Sequence, residues 1–191
     1  MKKIPTLFEY EIVNKKVVGI TDKVRPGFEW VLEGRGTATV QWDGVCCAII
    51  EGRLYKRLKG RKGGKNMPKG AIPCCPPDPK TGHHPHWVLV DTNNPDDIGL
   101  VDAFINSLPK YEGTYEAVGP DFRGNPHKLK ENIFVRHGKH AIYVPRSFDG
   151  LREYLAERDM EGIVFWLDGE PQCKIKRRDF GLEWPRNVEG Q

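Results

Sequence analysis

Apolar and polar residues alternate, or apolar residues gather in short blocks, at GFEWVLE (27–33), GTATVQWDG (36–44), VCCAIIEG (45–52), RLYKRL (53–58), HWVLVD (86–91), GTYEAVG (113–119), AIYVP (141–145), GIVFWLD (162–168) and CKIKRRDFG (173–181). Such segments, bounded by Gly, Pro and Asp, predict β-strands. Glu51-Gly52 and Asp168-Gly169 stand between consecutive segments as two-residue hairpin turns, so neighbouring strands should run antiparallel. Two stretches have helical spacing instead. In PDDIGLVDAFINSLP (95–109), Leu100, Phe104, Ile105 and Leu108 share a face, acids 96–97 suit the start and Pro109 stops the helix. In SFDGLREYLAERD (147–159), Ser147 or Asp149 caps a helix burying Leu151, Tyr154 and Leu155. The pattern predicts an α+β protein, rich in antiparallel sheet with a few packed helices. Residues 59–85, rich in Gly, Pro and Lys, read as a long exposed loop within one domain spanning 1–191, because strand signals resume on both sides.

Composition narrows the class. At 191 residues, 38% of them hydrophobic, the chain can bury a sizeable core. No stretch is apolar enough for a membrane span, and MKKIPTLFEYE turns acidic before a signal-like region develops. The five cysteines form an odd set with adjacent pairs at 46–47 and 74–75, a poor disulfide framework. Together these predict a cytoplasmic protein in a reducing compartment, with no membrane association and no protein partner indicated.

Net charge is +4, unevenly spread: residues 53–69 hold eight Lys/Arg and no acid, and KIKRR (174–178) holds four more. These leave 18 Lys/Arg against 26 Asp/Glu elsewhere, so two basic segments sit on an acidic body and suggest a localised polyanion site. The plainer reading is a solvated charged loop and strand end.

The stretch 161–181 carries the clearest chemistry. Period two puts Lys174 and Lys176 on one strand face, and a hairpin at 168–169 would bring Glu161 to the same floor. Neighbouring lysines favour an anion between them, such as a polyphosphate, and Glu161 could hold a divalent metal bridging phosphate oxygens. The alternative is a solvent-facing Lys-x-Lys edge that blunts aggregation. Cys74, Cys75, His83, His84 and His86 lack tetrahedral zinc spacing and read as a Pro-rich loop. Cys46 and Cys47 should face opposite sides of one strand. Trp42 and Trp166 are either core or cover for a nucleotide pocket. The 59–69 loop is a candidate for salt-sensitive RNA backbone contact.

Q-W-D-G (41–44), R-L-Y-K-R (53–57), G-T-Y-E-A-V-G-P (113–120), E-G-I-V-F (161–165) and K-I-K-R-R-D-F-G (174–181), in that order, resemble the covalent nucleotidyltransferases. That superfamily comprises ATP-dependent RNA ligases, DNA ligases and mRNA capping enzymes. The chain looks most like the small single-domain RNA ligases, whose first motif reads K-x-D-G, often before a paired-cysteine strand. The resemblance implies an adenylation-domain fold, ATP with Mg²⁺ or Mn²⁺ as cofactors, and RNA 5′-phosphate and 3′-hydroxyl ends as partners. It implies that position 41 is the lysine nucleophile's place, with Asp43 and Gly44 completing the turn and Trp42 beside the nucleotide. Arg57 and Arg53 match the strand contacting ribose or the RNA 5′-phosphate, Glu116 the carboxylate near the sugar, Glu161 the metal-binding acid, and Lys174 and Lys176 the lysines on the α-phosphate.

Gln41 departs from that pattern. A carboxamide nitrogen is delocalised into its carbonyl and is nearly non-nucleophilic, so Gln41 cannot form lysyl-AMP. Lys23 and Lys56, the nearest lysines on either side, do not stand where they could substitute. An introduced change at an otherwise complete set of motifs is the favoured origin; a homologue that lost self-adenylylation is the other. Val45, where relatives often carry a small polar residue, is a milder departure. Two further readings stay open: a non-catalytic nucleotide- or RNA-binding protein, and a DNA ligase-like nucleotidyltransferase.

Overall fold

The computed structural model describes residues 3–60 and 67–185, and the chain divides into two compact units, Ile4–Trp42 with Gly138–Gln191, and Met1–Lys3 with Asp43–His137. The sheets are mostly antiparallel and the helices few, the α+β character the pattern predicts. No helix among the described residues is long and apolar enough to cross a membrane.

The first of these units opens with a hairpin, β1 (Phe8–Val13) and β2 (Lys16–Val24), turning at Asn14 and Lys15, both at positive φ. Neither strand is among those predicted, since the hairpin leaves Ile12, Val13, Val17 and Val18 exposed and so lacks the burial that alternation reports. Next comes α1 (Glu29–Leu32) where a strand was expected over 27–33. The alternation of Phe28, Trp30 and Leu32 suggested a strand, but adjacent Trp30 and Val31 are both buried, which one helical turn allows and one sheet face does not.

A four-stranded sheet follows in the order β10 (Ala141–Ile142), β3 (Thr37–Gln41), β11 (Gly162–Leu167), β12 (Glu170–Lys176). One face carries Ala38, Ile163, Phe165, Cys173 and Ile175 into a core closed by Leu151 and Leu155 of α3 (Phe148–Glu157), and Ser147 caps that helix by accepting from the Gly150 amide. The strand expected over 141–145 shortens to two residues, beyond which Tyr143 is 95% exposed. Asp168 and Gly169, both at positive φ, form the β11–β12 turn.

The strand expected to run through 173–181 stops at Lys176. There Arg177 enters a 3₁₀ turn and buries its guanidinium, donating to the carbonyls of Leu155, Arg158 (2.8 Å) and Glu183 (2.8 Å). Arg177 therefore satisfies carbonyls at the end of α3 rather than joining a surface anion site.

The other unit is a six-stranded antiparallel sheet ordered β6 (Ile72–Pro73), β7 (His86–Leu89), β5 (Arg53–Leu58), β4 (Val45–Ile50), β8 (Gly113–Val118), β9 (Ile133–Arg136). Helix α2 (Ile98–Ser107) packs Leu100 and Ala103 against Cys47, Ile49, Tyr115, Ala117 and Phe134. The expected helix face is half right: Ile105 and Leu108 are 58% and 68% exposed, and Leu108 takes a left-handed cap that ends the helix before Pro109. The opposite sheet face holds Ala48, Tyr55 and Trp87, with Cys46 and Cys74 packed on them, so Cys46 and Cys47 do face opposite ways. Within the 59–85 segment β6 adds a short edge strand, and residues 61–66 lie outside the described residues.

Candidate functional site

Register puts the expected residues of the four-stranded sheet on its other face. Gln41, Gly162 and Lys176 stand in one cross-strand row, and Thr39, Val164 and Lys174 in the next. Gly162 is required there, since a Cβ would run into the Ile175 carbonyl oxygen. Glu161, 7% exposed, ends the row: Gln41 Nε2 donates to its Oε2 at 2.6 Å, and Lys176 Nζ forms an ion pair with its Oε1. The carboxylate thus supplies the negative charge that Lys176 needs, a role the sequence reading gave to a bound polyanion. Holding Nε2 on Glu161 leaves the Gln41 Oε1 atom buried without a hydrogen-bond partner among the described residues. Trp42 and Trp166 stay outside the buried core: the Trp42 ring meets His140 edge-on at 5.6 Å, and Trp166 Nε1 donates to Thr39 Oγ1 at 2.8 Å.

Asp43 and Gly44 belong to the six-stranded unit, where a second group forms. Gly44 is obligatory because a Cβ would strike the Ala117 carbonyl oxygen of β8. Its amide donates to Glu116 Oε1 at 3.2 Å, and Glu116 Oε2 contacts His137 Nε2 at 3.0 Å, while His137 Nδ1 contacts Thr114 Oγ1 at 2.9 Å. The Asp43 amide donates to His127 Nε2 (2.9 Å), and Arg123 Nε donates to the Gly44 carbonyl (3.2 Å). These bonds tie the Asp-Gly turn to β8 and its following connection. Sequence reasoning missed His127, His137 and Arg123; the only signal was a Gly/Asn-rich turn run, and Arg123, Asn125 and Lys128 do adopt positive φ.

Cross-strand pairing aligns Glu116 with Cys46 on β4, and the β4–β5 register continues that row to Arg57, which pairs with Trp87. The Cys46 thiol is pushed up to about 12 by burial and by the Glu116 charge, so it offers no thiolate near neutrality. Arg53 lies on the same face at the far end of β5, exposed beside the Glu51–Gly52 turn. The nearest lysines to position 41 are occupied: Lys56 pairs with buried Asp97, and Lys23 lies 3.4 Å from Glu9.

Among the described residues no group of three or more His, Cys, Asp or Glu could hold a metal ion. Glu161 is a lone carboxylate, and both of its oxygens are engaged, by Gln41 and by Lys176. The Gln41, Glu161, Lys174 and Lys176 group holds cations and an acceptor but no nucleophile. No protein-family model matches the chain, and no curated protein matches it.

Proposed function

We propose that the chain is an ATP-dependent RNA ligase-type nucleotidyltransferase with an adenylation-domain fold, arrested before self-adenylylation. The supporting observation is that position 41 stands in one row with Lys176, its side chain bonded to Glu161. A lysine there would share one carboxylate with Lys176: the like charge of Lys176 favours the neutral, nucleophilic amine, and Glu161 opposes it by favouring the ammonium. Gln41 keeps the geometry and removes the nucleophile.

In this reading Lys174 and Lys176 take the phosphates of ATP, and Glu161 orients position 41; it would ligate a metal only by exchanging one of its two present partners. Bound Mg²⁺ would neutralise charge on the phosphate oxygens. Covalent use of position 41 ends once AMP has moved to the RNA 5′-phosphate. The last step, attack of a 3′-hydroxyl on adenylated RNA with release of AMP, needs only charge stabilisation by groups this chain retains. Joining of 5′-adenylated RNA without ATP is the expected result; absence of joining by folded protein would falsify it.

A non-catalytic nucleotide or RNA binder is the second reading, favoured by the seating of the Gln41 amide on Glu161. It predicts nucleotide binding without joining.

A further inference from the structure

Two residues that the sequence reading assigned to the core face of α2 stand at the surface as part of a second apolar row. Ile98, Ile105 and Leu108 are 51%, 58% and 68% exposed, and Val101 is partly exposed between them, while Leu100 and Ala103 turn to the sheet. Spacings of three, four and three residues put Ile98, Val101, Ile105 and Leu108 in line along the helix, at the a and d positions of a heptad. A helix with a core face and a second apolar row has two surfaces to cover, and the six-stranded sheet covers only one. A contiguous exposed row of this kind marks an interaction surface.

The row is symmetric about the middle of the helix. Val101 and Ile105 each lie two residues from Ala103, Ile98 and Leu108 five, and beyond them Asp96 and Lys110 seven. Asp96 sits in the 3₁₀ turn Pro95–Asp97 that leads into α2, and Lys110 follows the left-handed cap at Leu108. Both are exposed, and neither side chain makes a hydrogen bond or ion pair among the described residues. When a second α2 lies against the first in the opposite direction, each residue meets the one equally far beyond the middle: Val101 meets Ile105, Ile98 meets Leu108, and Asp96 meets Lys110. An acid at one end and a base at the other complement themselves only under that reversal, which a two-fold axis imposes. The opposed helix dipoles attract in the same arrangement.

We propose that this face of α2 is the contact between two copies of the chain, joined as a two-fold antiparallel helix pair. Apolar layers fill its centre, and two Asp96–Lys110 pairs close its ends. Neither the residues nor the contact depends on the chemistry at position 41. One group opposes association: Asp102, exposed on the flank of the row and one residue from its middle, comes close to its own counterpart across the axis. With four apolar residues a side and that repulsion, the contact belongs to the small, transient class, below about 1,200 Å² in total, with a dissociation constant on the order of 10 to 100 µM.

The test is sedimentation velocity of the full chain over a series from about 1 to about 300 µM, which brackets that constant. The expected result is a mass that rises from monomer toward dimer and no further. Ile105→Asp should weaken association about tenfold or more. Ile12→Asp, at an equally exposed apolar position on the β1–β2 hairpin, should leave it unchanged. Asp96→Lys and Lys110→Asp should each weaken it about fivefold, and the two together should restore it, because both pairs are then reversed. Asp102→Asn should tighten it about threefold by removing the repulsion at the axis. A monomer at every concentration overturns the proposal and would leave the row to a different protein. Association that persists in Ile105→Asp, that is lost instead in Ile12→Asp, or that the double charge reversal fails to recover overturns it as well.

Discussion

Gln41 Nε2 lies 2.6 Å from Glu161 Oε2, while the other oxygen of that carboxylate is paired with Lys176. One buried acid therefore orients two side chains from strands on either side of β11. Glu161→Ala strands the Lys176 ammonium and frees the Gln41 amide, with an expected loss of about 3 kcal/mol. Glu161→Gln keeps a hydrogen-bond acceptor and should lose about half as much. Urea denaturation of both variants measures the difference, and equal losses would mean that the charge of Glu161 contributes nothing.

Gly44→Ala probes the Asp-Gly turn. The added Cβ meets the Ala117 carbonyl, backbone that cannot yield without disturbing β8. A stability loss of about 2 to 3 kcal/mol is expected, whereas Gly52→Ala, with open space around its Cβ but φ +70, should lose about 1 kcal/mol. Thermal denaturation would contradict this if the two variants melted alike.

Lys56 belongs to the basic segment by sequence and to the interior by structure, since its ammonium pairs with Asp97, which is 1% exposed. Lys56→Met should cost about 3 kcal/mol and leave the salt dependence of RNA binding unchanged. A shallower salt slope in this variant would show instead that Lys56 meets phosphate.

Alkaline stability should follow the buried thiols. Cys46 and Cys173 are pushed up from 9.0 to about 12, so between those values the unfolded chain releases protons that the folded chain keeps. With fewer protons bound in the unfolded state, stability falls as pH rises, by about 1.4 kcal/mol per pH unit for each thiol. Cys46→Ala and Cys173→Ala should each flatten the decline between pH 9 and 11 in denaturation midpoints; an unchanged slope would contradict the assignment.

Strands with one buried face were legible because alternation reports burial. β11 and β12 and their Asp168-Gly169 turn follow directly from it, and so does the shared face of Lys174 and Lys176. The hairpin β1–β2 was not legible because its outer half buries nothing, and α1 was mistaken because a single helical turn is shorter than the period that defines it. Charge was the least readable property. Sequence shows that Lys56 and Arg177 are cations but not that Asp97 and the carbonyls of Leu155, Arg158 and Glu183 consume them.

The central claim is that position 41 is the place of a missing nucleophile. Intact mass after incubation with ATP and Mg²⁺, for the chain and its Gln41→Lys variant side by side, tests it directly. The account predicts that only the lysine variant gains one adenylyl group. Adenylylation of the unaltered chain, or of neither protein while both remain folded, would contradict it.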